Sequence, residues 1–499
     1  MLNFSKSKYC GLWQCPKIAW LNKYKSEERH IDESTLSRME NGNAVGDLAM
    51  QLFGEFNEVT AYTDGKIDLV KMQQLTEQYI AEGRDNICEA SFIYNGLYCA
   101  VDILRKTKRG YAIFEVKSST HEDNYIYIVD IAYQRYVMEK CGVNVTSTYL
   151  INIDSSYVRG KELDVNKLFK ITDVTKWVKE EQRNTEDYLA KAELLLQSDT
   201  EPPIDISENC NDPYGCSYWN YCTKHVPKPS VFDLYRLPFK KKLDCYHKGI
   251  LTYEDVVRSQ YSLNHTQSRQ IDFALHDKAT YVDKKQIKEF LDTLSYPTYF
   301  LDFETIQPVI PEFEGTRPYQ QIPFQYSLHY IEREGGGLQH KEFLAQSGVN
   351  PLRPIAESLV KDIPTDVCVL AYNKAFECTR LKELAETFPD LASRLLKIRD
   401  NIKDLLDPFR QGAYYNKAMG GSFSIKSVLP AMFPGDLSLD YHNLEGVHNG
   451  GEAMSIYPKI KDMQPEEQQI ARHNLLKYCE LDTYAMVKIW QELVKITKE

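Results

Sequence analysis

Residues 299–305 read YFLDFET, and the fold of the second half of the chain turns on how this stretch is read. Its aromatic and aliphatic residues mark a buried strand, and the two-residue period of a strand sends the side chains of Asp302 and Glu304 to one face. Two carboxylates that converge in this way suit Mg²⁺ or Mn²⁺, hard cations that prefer oxygen ligands. Downstream, HNLLKYCELDTYAMVKIWQEL (473–493) repeats its apolar residues at helical spacing, so Tyr478 and Asp482, four apart, share a helix face. Between the two stretches AYNKAFE (371–377) adds Glu377. The pattern predicts an α/β domain over residues 296–499, a mixed sheet with flanking helices and its acids on strand ends and on the last helix.

Phosphodiester cleavage is the chemistry that asks for such a set, because two divalent cations about 4 Å apart activate a water and stabilise the leaving oxyanion. The three motifs resemble the DnaQ-like exonucleases, which have an RNase H-like fold, in the branch that ends in Tyr-x-x-x-Asp. The resemblance implies Mg²⁺ or Mn²⁺ held by Asp302, Glu304, Glu377 and Asp482, with Tyr478 orienting the attacking water. It also implies 3′–5′ exonuclease activity on single-stranded nucleic acid, DNA before RNA. The chain departs from that family at the middle motif: Tyr372-Asn373-Lys374-Ala375-Phe376-Glu377 stands where the family has His-Asn-x-x-Phe-Asp, so the carboxylate reaches one methylene further. Asp404 and Asp407, in KDLLDPF, are the nearest alternative ligands, and the resemblance gives Asp404 the place of a supporting strand residue. Ser422, Phe423, Ser424 and Lys426 lie where the family approaches the substrate backbone, and Tyr319, Phe324 and Tyr326 are the aromatics to examine for base stacking.

The first half carries a second constellation. EASFIYNGLYCAVDILRKTKRGYAIFEVKSS (89–119) alternates as strands do, with turns at Asn95-Gly96 and at Arg105 to Gly110. Asp102 falls near the end of one strand, while Glu115 and Lys117, two apart, share a face of the next. Two carboxylates there can hold a divalent cation, and the ammonium can stabilise an attacking water or the charge that develops on phosphorus. A helical stretch from about Ile126 to Cys141 then offers Gln134. These residues resemble the PD-(D/E)XK nucleases in their RecB-like form, which implies a restriction-endonuclease-like domain over residues 1–225 with a site of Asp102, Glu115, Lys117 and Gln134. Glu89 matches an acidic position that often precedes the first strand, whereas the metal-binding His of many active members has no counterpart near Val45 to Met50.

Cysteines frame this domain: Cys15 precedes it, and Cys210, Cys216 and Cys222 follow in CNDPYGCSYWNYC. Four thiolates can hold a [4Fe–4S] cluster or a Zn²⁺ ion. The frame resembles the iron–sulfur RecB-like nucleases of CRISPR adaptation, which favours the cluster; the last cysteine gap fits that group and the first is longer. Cys10 is a reserve ligand. The other seven cysteines stand singly in apolar surroundings, as small core residues do.

The bulk numbers exclude several classes. A chain of 499 residues with 43% apolar residues can bury several cores. No apolar run approaches the roughly 18 residues of a membrane helix, and the start lacks the core of a signal peptide, so a cytoplasmic location without membrane contact is expected. Twelve cysteines without a secretory signal suit a reducing compartment. A net charge of −11 argues against nonspecific coating of nucleic acid but permits a local basic groove. Residues 226–295, opened by Pro227 and Pro229, read as a helical connector whose Lys240-Lys241-Lys242 run forms a solvated face. Two other readings stay open: an RNA-trimming exonuclease, and a nucleic-acid-binding scaffold whose nuclease sites have decayed.

Overall fold

The computed structural model describes residues 3–31, 33–121 and 124–499. The protein is mixed α/β and divides into two compact units, Met1–Val226 with Val309–Tyr319, and Pro227–Pro308 with Gln320–Glu499.

The N-terminal unit is built on a seven-stranded sheet. Its strands are β1 (Phe4–Ser5), β2 (Asn57–Glu58), β3 (Asn86–Tyr94), β4 (Leu97–Thr107), β5 (Gly110–Lys117), β6 (Val145–Ile153) and β7 (Phe169–Asp173). They run in the order β2-β3-β4-β5-β6-β7, with β1 paired in parallel to β4. Asn95 and Gly96 both take positive φ, the backbone that a tight hairpin between β3 and β4 demands. Helix α1 (Lys6–Gln14) and helix α2 (Pro16–Tyr24) follow β1, and α3 (Tyr125–Lys140) carries the chain between the parallel strands β5 and β6. Apolar residues cover α3 on nearly every side, and most of its turns are buried. Helix α4 (Thr175–Gln197) packs on α3. Within the same unit, Val309–Tyr319 exchanges backbone bonds with Arg159, whose N–H donates to Thr316 O at 3.0 Å and whose carbonyl accepts from Gly315 N at 2.8 Å.

In the C-terminal unit, β8 (Thr298–Ile306), β9 (Ile322–Ile331), β10 (Gln339–Leu344), β11 (Cys368–Ala371) and β12 (Ile402–Asp404) form a five-stranded sheet in the order β10-β9-β8-β11-β12. The pairs β10/β9 and β9/β8 are antiparallel; β8/β11 and β11/β12 are parallel. Strands β8 and β9 are almost wholly buried, which is why YFLDFET reads as a nearly continuous apolar run. Helix α5 (Ala375–Thr387) follows β11, α6 (Ile425–Met432) lies further on, and the long α7 (Pro465–Lys498) packs across β8 and β9. Residues 227–295 contribute short helices around Val231, Leu234, Tyr253, Val256 and Ile271, and Thr280–Val282 pairs with Tyr414–Asn416. Lys242 turns its ammonium inward to Phe232 O at 2.7 Å, so that part of the expected solvated basic face is a structural contact. Among the described residues no helix is long and apolar enough to cross a membrane.

Candidate active sites

Strand β8 and helix α7 build the C-terminal site. Asp302 and Glu304 stand opposite Ser327 and Gln325 of β9, and the register shifts just after Glu304. Helix α7 is fixed in rotation against β9 by buried bonds: Gln325 Nε2 donates to Leu475 O at 2.8 Å, and the Thr483 hydroxyl lies 2.6 Å from Ser327 Oγ and 2.7 Å from His329 Nδ1. That rotation turns Tyr478 and Asp482 toward β8. Among the described residues, Asp302, Glu304 and Asp482 alone bring three acidic or thiol or imidazole ligand atoms within 4.8 Å of one another.

The electrostatics of this trio are those of buried carboxylates crowded together, with Lys426 as a partial counter-charge. Burial, then the charges of Asp482, Glu377 and Glu304, hold the Asp302 carboxyl well above the usual range. Burial and Asp482 push Glu304 to about 8, against the pull of Lys426. Asp482 rises to about 6 through burial, partly offset by its hydrogen bond from Tyr441 and by Lys426. Tyr441 Oη donates to Asp482 Oδ1 at 2.7 Å, while Asp482 Oδ2 is buried with no hydrogen-bond partner. A buried carboxylate oxygen left open beside two others is a fitting ligand for a divalent cation. Gly450 closes the site on another side; a Cβ added there would lie 3.5 Å from Glu304 Oε2 and 3.9 Å from Tyr478 Oη. The ammonium of Lys426 stands over the rings of Tyr441 and Tyr478, at 5.0 and 5.5 Å.

Glu377 is placed beside the trio rather than within it. It lies on the first turn of α5, 2% exposed, with Oε2 unpartnered, and its charge reaches Asp302. Burial first, then the charge of Asp404, pushes it to about 8. Asp404 on β12 supports the turn into α5: its Oδ1 accepts from Asn373 N at 2.9 Å and Leu406 N at 3.1 Å, with Asn373 at φ 68°. Tyr372 anchors the same turn by donating to Phe423 O at 2.7 Å.

In the N-terminal unit, β4, β5 and α3 bring Asp102, Glu115, Lys117 and Gln134 together, and two further residues join them. Lys117 Nζ lies 2.6 Å from Glu115 Oε1 and 2.7 Å from Asp130 Oδ2. Gln134 Nε2 donates to Glu115 Oε2 at 2.7 Å and Asp130 Oδ1 at 2.9 Å. Lys6, in the first turn of α1, places its ammonium 3.3 Å from Asp102 Oδ1 and 3.1 Å from Glu115 Oε1. Burial and then the neighbouring acids push Glu115 to about 7, and Glu89, at φ 55°, also rises to about 7 through burial and Asp102. Lys6 and Asp130 carry no motif signal; Asp130 alone was within reach, four residues before Gln134 on one helix face.

The cysteine frame closes on one cavity, lined by Cys15, Cys210, Cys216 and Cys222 together with Lys17, Ile18 and Asn209. Helices α1 and α2 are stitched to the later segment: Gln14 Nε2 donates to Asn209 O at 2.8 Å and Tyr214 O at 2.7 Å, and Lys17 pairs with Glu201 at 2.6 Å. Burial, and behind it the other thiols, pushes Cys216 up to about 11. The four thiols thus face one space, as a shared metal ligand set requires.

Other expectations change with the structure. Cys10 does not line this cavity but packs against the apolar core of the N-terminal unit, where burial and then the charge of Asp130 raise its thiol well above the ordinary value. Cys141 is exposed rather than a core residue. Phe324 and Tyr326 are fully buried, Phe324 stacked on Tyr457 at 3.9 Å and Tyr326 bonded to Asp362 at 2.7 Å, so neither is open to a base. Tyr319 belongs to the N-terminal unit, where its hydroxyl donates to Ser118 O.

A family model described as "Domain of unknown function (DUF2779)" matches residues 299–424. That span contains Asp302, Glu304, Glu377 and Asp404 and ends before Tyr441 and α7. The chain is 22% identical over 483 residues to "Uncharacterized protein MG366" of Mycoplasma genitalium, a match that covers 86% of this chain and 70% of that one. It is 27% identical over 235 residues to the "Uncharacterized protein MG366 homolog" of Mycoplasma pneumoniae, covering 43% of this chain and 35% of the relative. It is 28% identical over 238 residues to "Uncharacterized protein UU173" of Ureaplasma parvum serovar 3, covering 42% and 33%. No solved structure matches the chain.

Proposed function

We propose that this protein is a metal-dependent nuclease whose C-terminal unit is an RNase H-like 3′–5′ exonuclease acting on single-stranded nucleic acid, DNA in preference to RNA. The observation that carries this reading is the convergence of Asp302, Glu304 and Asp482 within 4.8 Å from a strand and a helix some 180 residues apart in the chain. Two divalent cations, when bound, supply the activated water and the stabilised leaving oxygen. Asp302, Glu304 and Asp482 would hold them, with Glu377 beside Asp302. Tyr441 orients Asp482 through its hydrogen bond. Burial, then the charges of Asp482 and Glu304, raise the Tyr478 phenol far above its ordinary range, and its hydroxyl would position the attacking water. Lys426, exposed at the rim of the trio, offers its ammonium to a substrate phosphate.

We read the N-terminal unit as a RecB-like PD-(D/E)XK domain that binds or cleaves DNA, with a [4Fe–4S] cluster held by Cys15, Cys210, Cys216 and Cys222. The cavity that all four cysteines line supports a shared ligand, and the resemblance of the frame favours a cluster over Zn²⁺.

The test is end-labelled single-stranded DNA and RNA incubated with the protein in Mg²⁺ or Mn²⁺. Stepwise shortening from the 3′ end, lost in Asp302→Ala, is expected; degradation that survives Asp302→Ala would sink the assignment. Faster trimming of RNA would move the substrate to the RNA alternative.

A further inference from the structure

The two acid sites differ in what their carboxylate oxygens already hold. In the C-terminal unit, buried oxygens of Asp482 and Glu377 have no donor. In the N-terminal unit, every oxygen of the two would-be metal ligands is taken. Asp102 Oδ2 accepts from Val116 N at 2.7 Å and Oδ1 faces Lys6 at 3.3 Å. Glu115 Oε2 accepts from Gln134 at 2.7 Å, and Oε1 is shared by Lys117 at 2.6 Å and Lys6 at 3.1 Å. Asp102 and Glu115 therefore do not fit a bare divalent cation as they stand, because the point between them is filled by an ammonium.

Lys6 is not a loose surface side chain that happens to fall there. The two residues before it, Phe4 and Ser5, form β1 and pair with Leu97 and Tyr98 of β4, the strand that carries Asp102. The buried Tyr133 hydroxyl of α3 donates to Phe4 O at 2.7 Å, and Ser5 caps α1 by accepting from Lys8 N at 3.4 Å. The start of α1 is thus held by the same strand and helix that present the acids, and one helical step places Lys6 over them.

We propose that Lys6 is the resident cation of the N-terminal acid pocket, a tethered ammonium that occupies the position between Asp102 and Glu115 and excludes a divalent ion from it. This rests on reading Asp102, Glu115 and Lys117 as a nuclease-type pocket. Its consequence is that the intact N-terminal unit binds nucleic acid without metal-dependent cutting, and that the divalent ions of this chain belong to the C-terminal unit. Replacing Lys6 by a neutral side chain of similar length frees one oxygen of Asp102 and lightens the load on Glu115, which is what a hard cation needs.

The experiment uses the full chain with Asp302→Asn and Asp482→Asn, which silences the C-terminal trio, and reads free Mn²⁺ by electron paramagnetic resonance. This background should take up no Mn²⁺ that depends on Asp102. Adding Lys6→Met should create one Mn²⁺ site per chain, and adding Asp102→Asn to that protein should abolish it. Lys6→Met should also melt at a lower temperature than the background and recover with Mn²⁺ but not with Na⁺ at equal ionic strength. Lys6→Gln serves in the same series if Lys6→Met does not fold. Mn²⁺ uptake that depends on Asp102 while Lys6 is intact would overturn the proposal, and so would a folded Lys6→Met or Lys6→Gln protein that gains no Mn²⁺. The exonuclease reading stands or falls separately, on the Asp302→Ala digestion, since these proteins already lack that site.

Discussion

Tyr441 shows how a single hydroxyl sets the C-terminal site. It sits 41 positions before Asp482, in a short 3₁₀ turn at Tyr441–Asn443, and no spacing rule links the two. Groups that orient a metal ligand are worth about 10–100-fold in metal affinity or activity. Tyr441→Phe should therefore raise the Mn²⁺ concentration for half-maximal digestion by roughly that factor while leaving the fold intact, and an unchanged metal titration would remove Tyr441 from the site. The acids themselves predict a pH effect. Glu304 and Glu377 rise from the ordinary 4.5 to about 8, and Asp482 from 3.8 to about 6, all chiefly by burial. A carboxyl raised by folding binds its proton more tightly in the folded chain, so its contribution favours the fold at low pH and is lost as pH climbs from about 4 through about 8. A divalent cation replaces those protons as counter-charge. The rise in melting temperature on adding Mn²⁺ should then be larger near pH 8 than near pH 5, and a larger shift at the acid end would contradict the picture.

At the scale of elements, α7 is where pattern and packing agree best. The spacing of Leu475, Tyr478, Asp482 and Met486 marks one helix face, and that face is the buried one. What the pattern does not contain is the rotation that aims Tyr478 and Asp482 at β8, which depends on the Thr483 hydroxyl meeting Ser327 and His329 of β9. Thr483→Val keeps the shape and removes the hydroxyl; Ser327 retains His340 at 2.9 Å, but buried His329 Nδ1 loses its partner, at a cost of about 1–3 kcal/mol. Chemical denaturation should show that loss, and digestion should slow because the helix that carries Asp482 keeps only the Gln325–Leu475 bond of those that fix its rotation against β9. The turn into α5 is a second case. The departure at Glu377 is visible in the sequence, but its place beside Asp302 follows from Asp404 holding the positive-φ turn at Asn373. The same limit applies to the aromatics: Phe324 and Tyr326 sit on a strand buried on both faces, and alternation along one strand does not say whether its second face is covered.

Across the molecule, the long-range arrangement is carried by contacts that join distant segments. The cysteine frame brings Cys15 to a trio about 200 residues later, tied by Gln14 to Asn209 and Tyr214 and by Lys17 to Glu201. If a cluster fills that cavity, Cys216→Ser should lose the visible absorbance of thiolate-bound iron and expose residues 198–222 to faster amide exchange. Retained colour with full protection would exclude Cys216 as a ligand. The N-terminal unit also takes in Val309–Tyr319, a short run between two strands of the other unit's sheet, and nothing in its composition separates it from an ordinary loop.

Local geometry is legible in the chain alone: Asp302 and Glu304 on one strand face, Tyr478 and Asp482 on one helix face, Glu115 and Lys117 on one strand, and four cysteines at the two ends of a domain. Each follows from the period of a strand or a helix, which a chain displays in consecutive residues. The tertiary structure alone decided which of these local faces meet and what already occupies them. Tyr441 against Asp482 and Lys6 between Asp102 and Glu115 join residues 41 and about 100 positions apart, and contacts at such separation leave no periodic trace in the chain. The physical reason is that periodicity records how one element turns its own side chains, whereas a site is formed where several elements are packed by burial and hydrogen bonding into a common space.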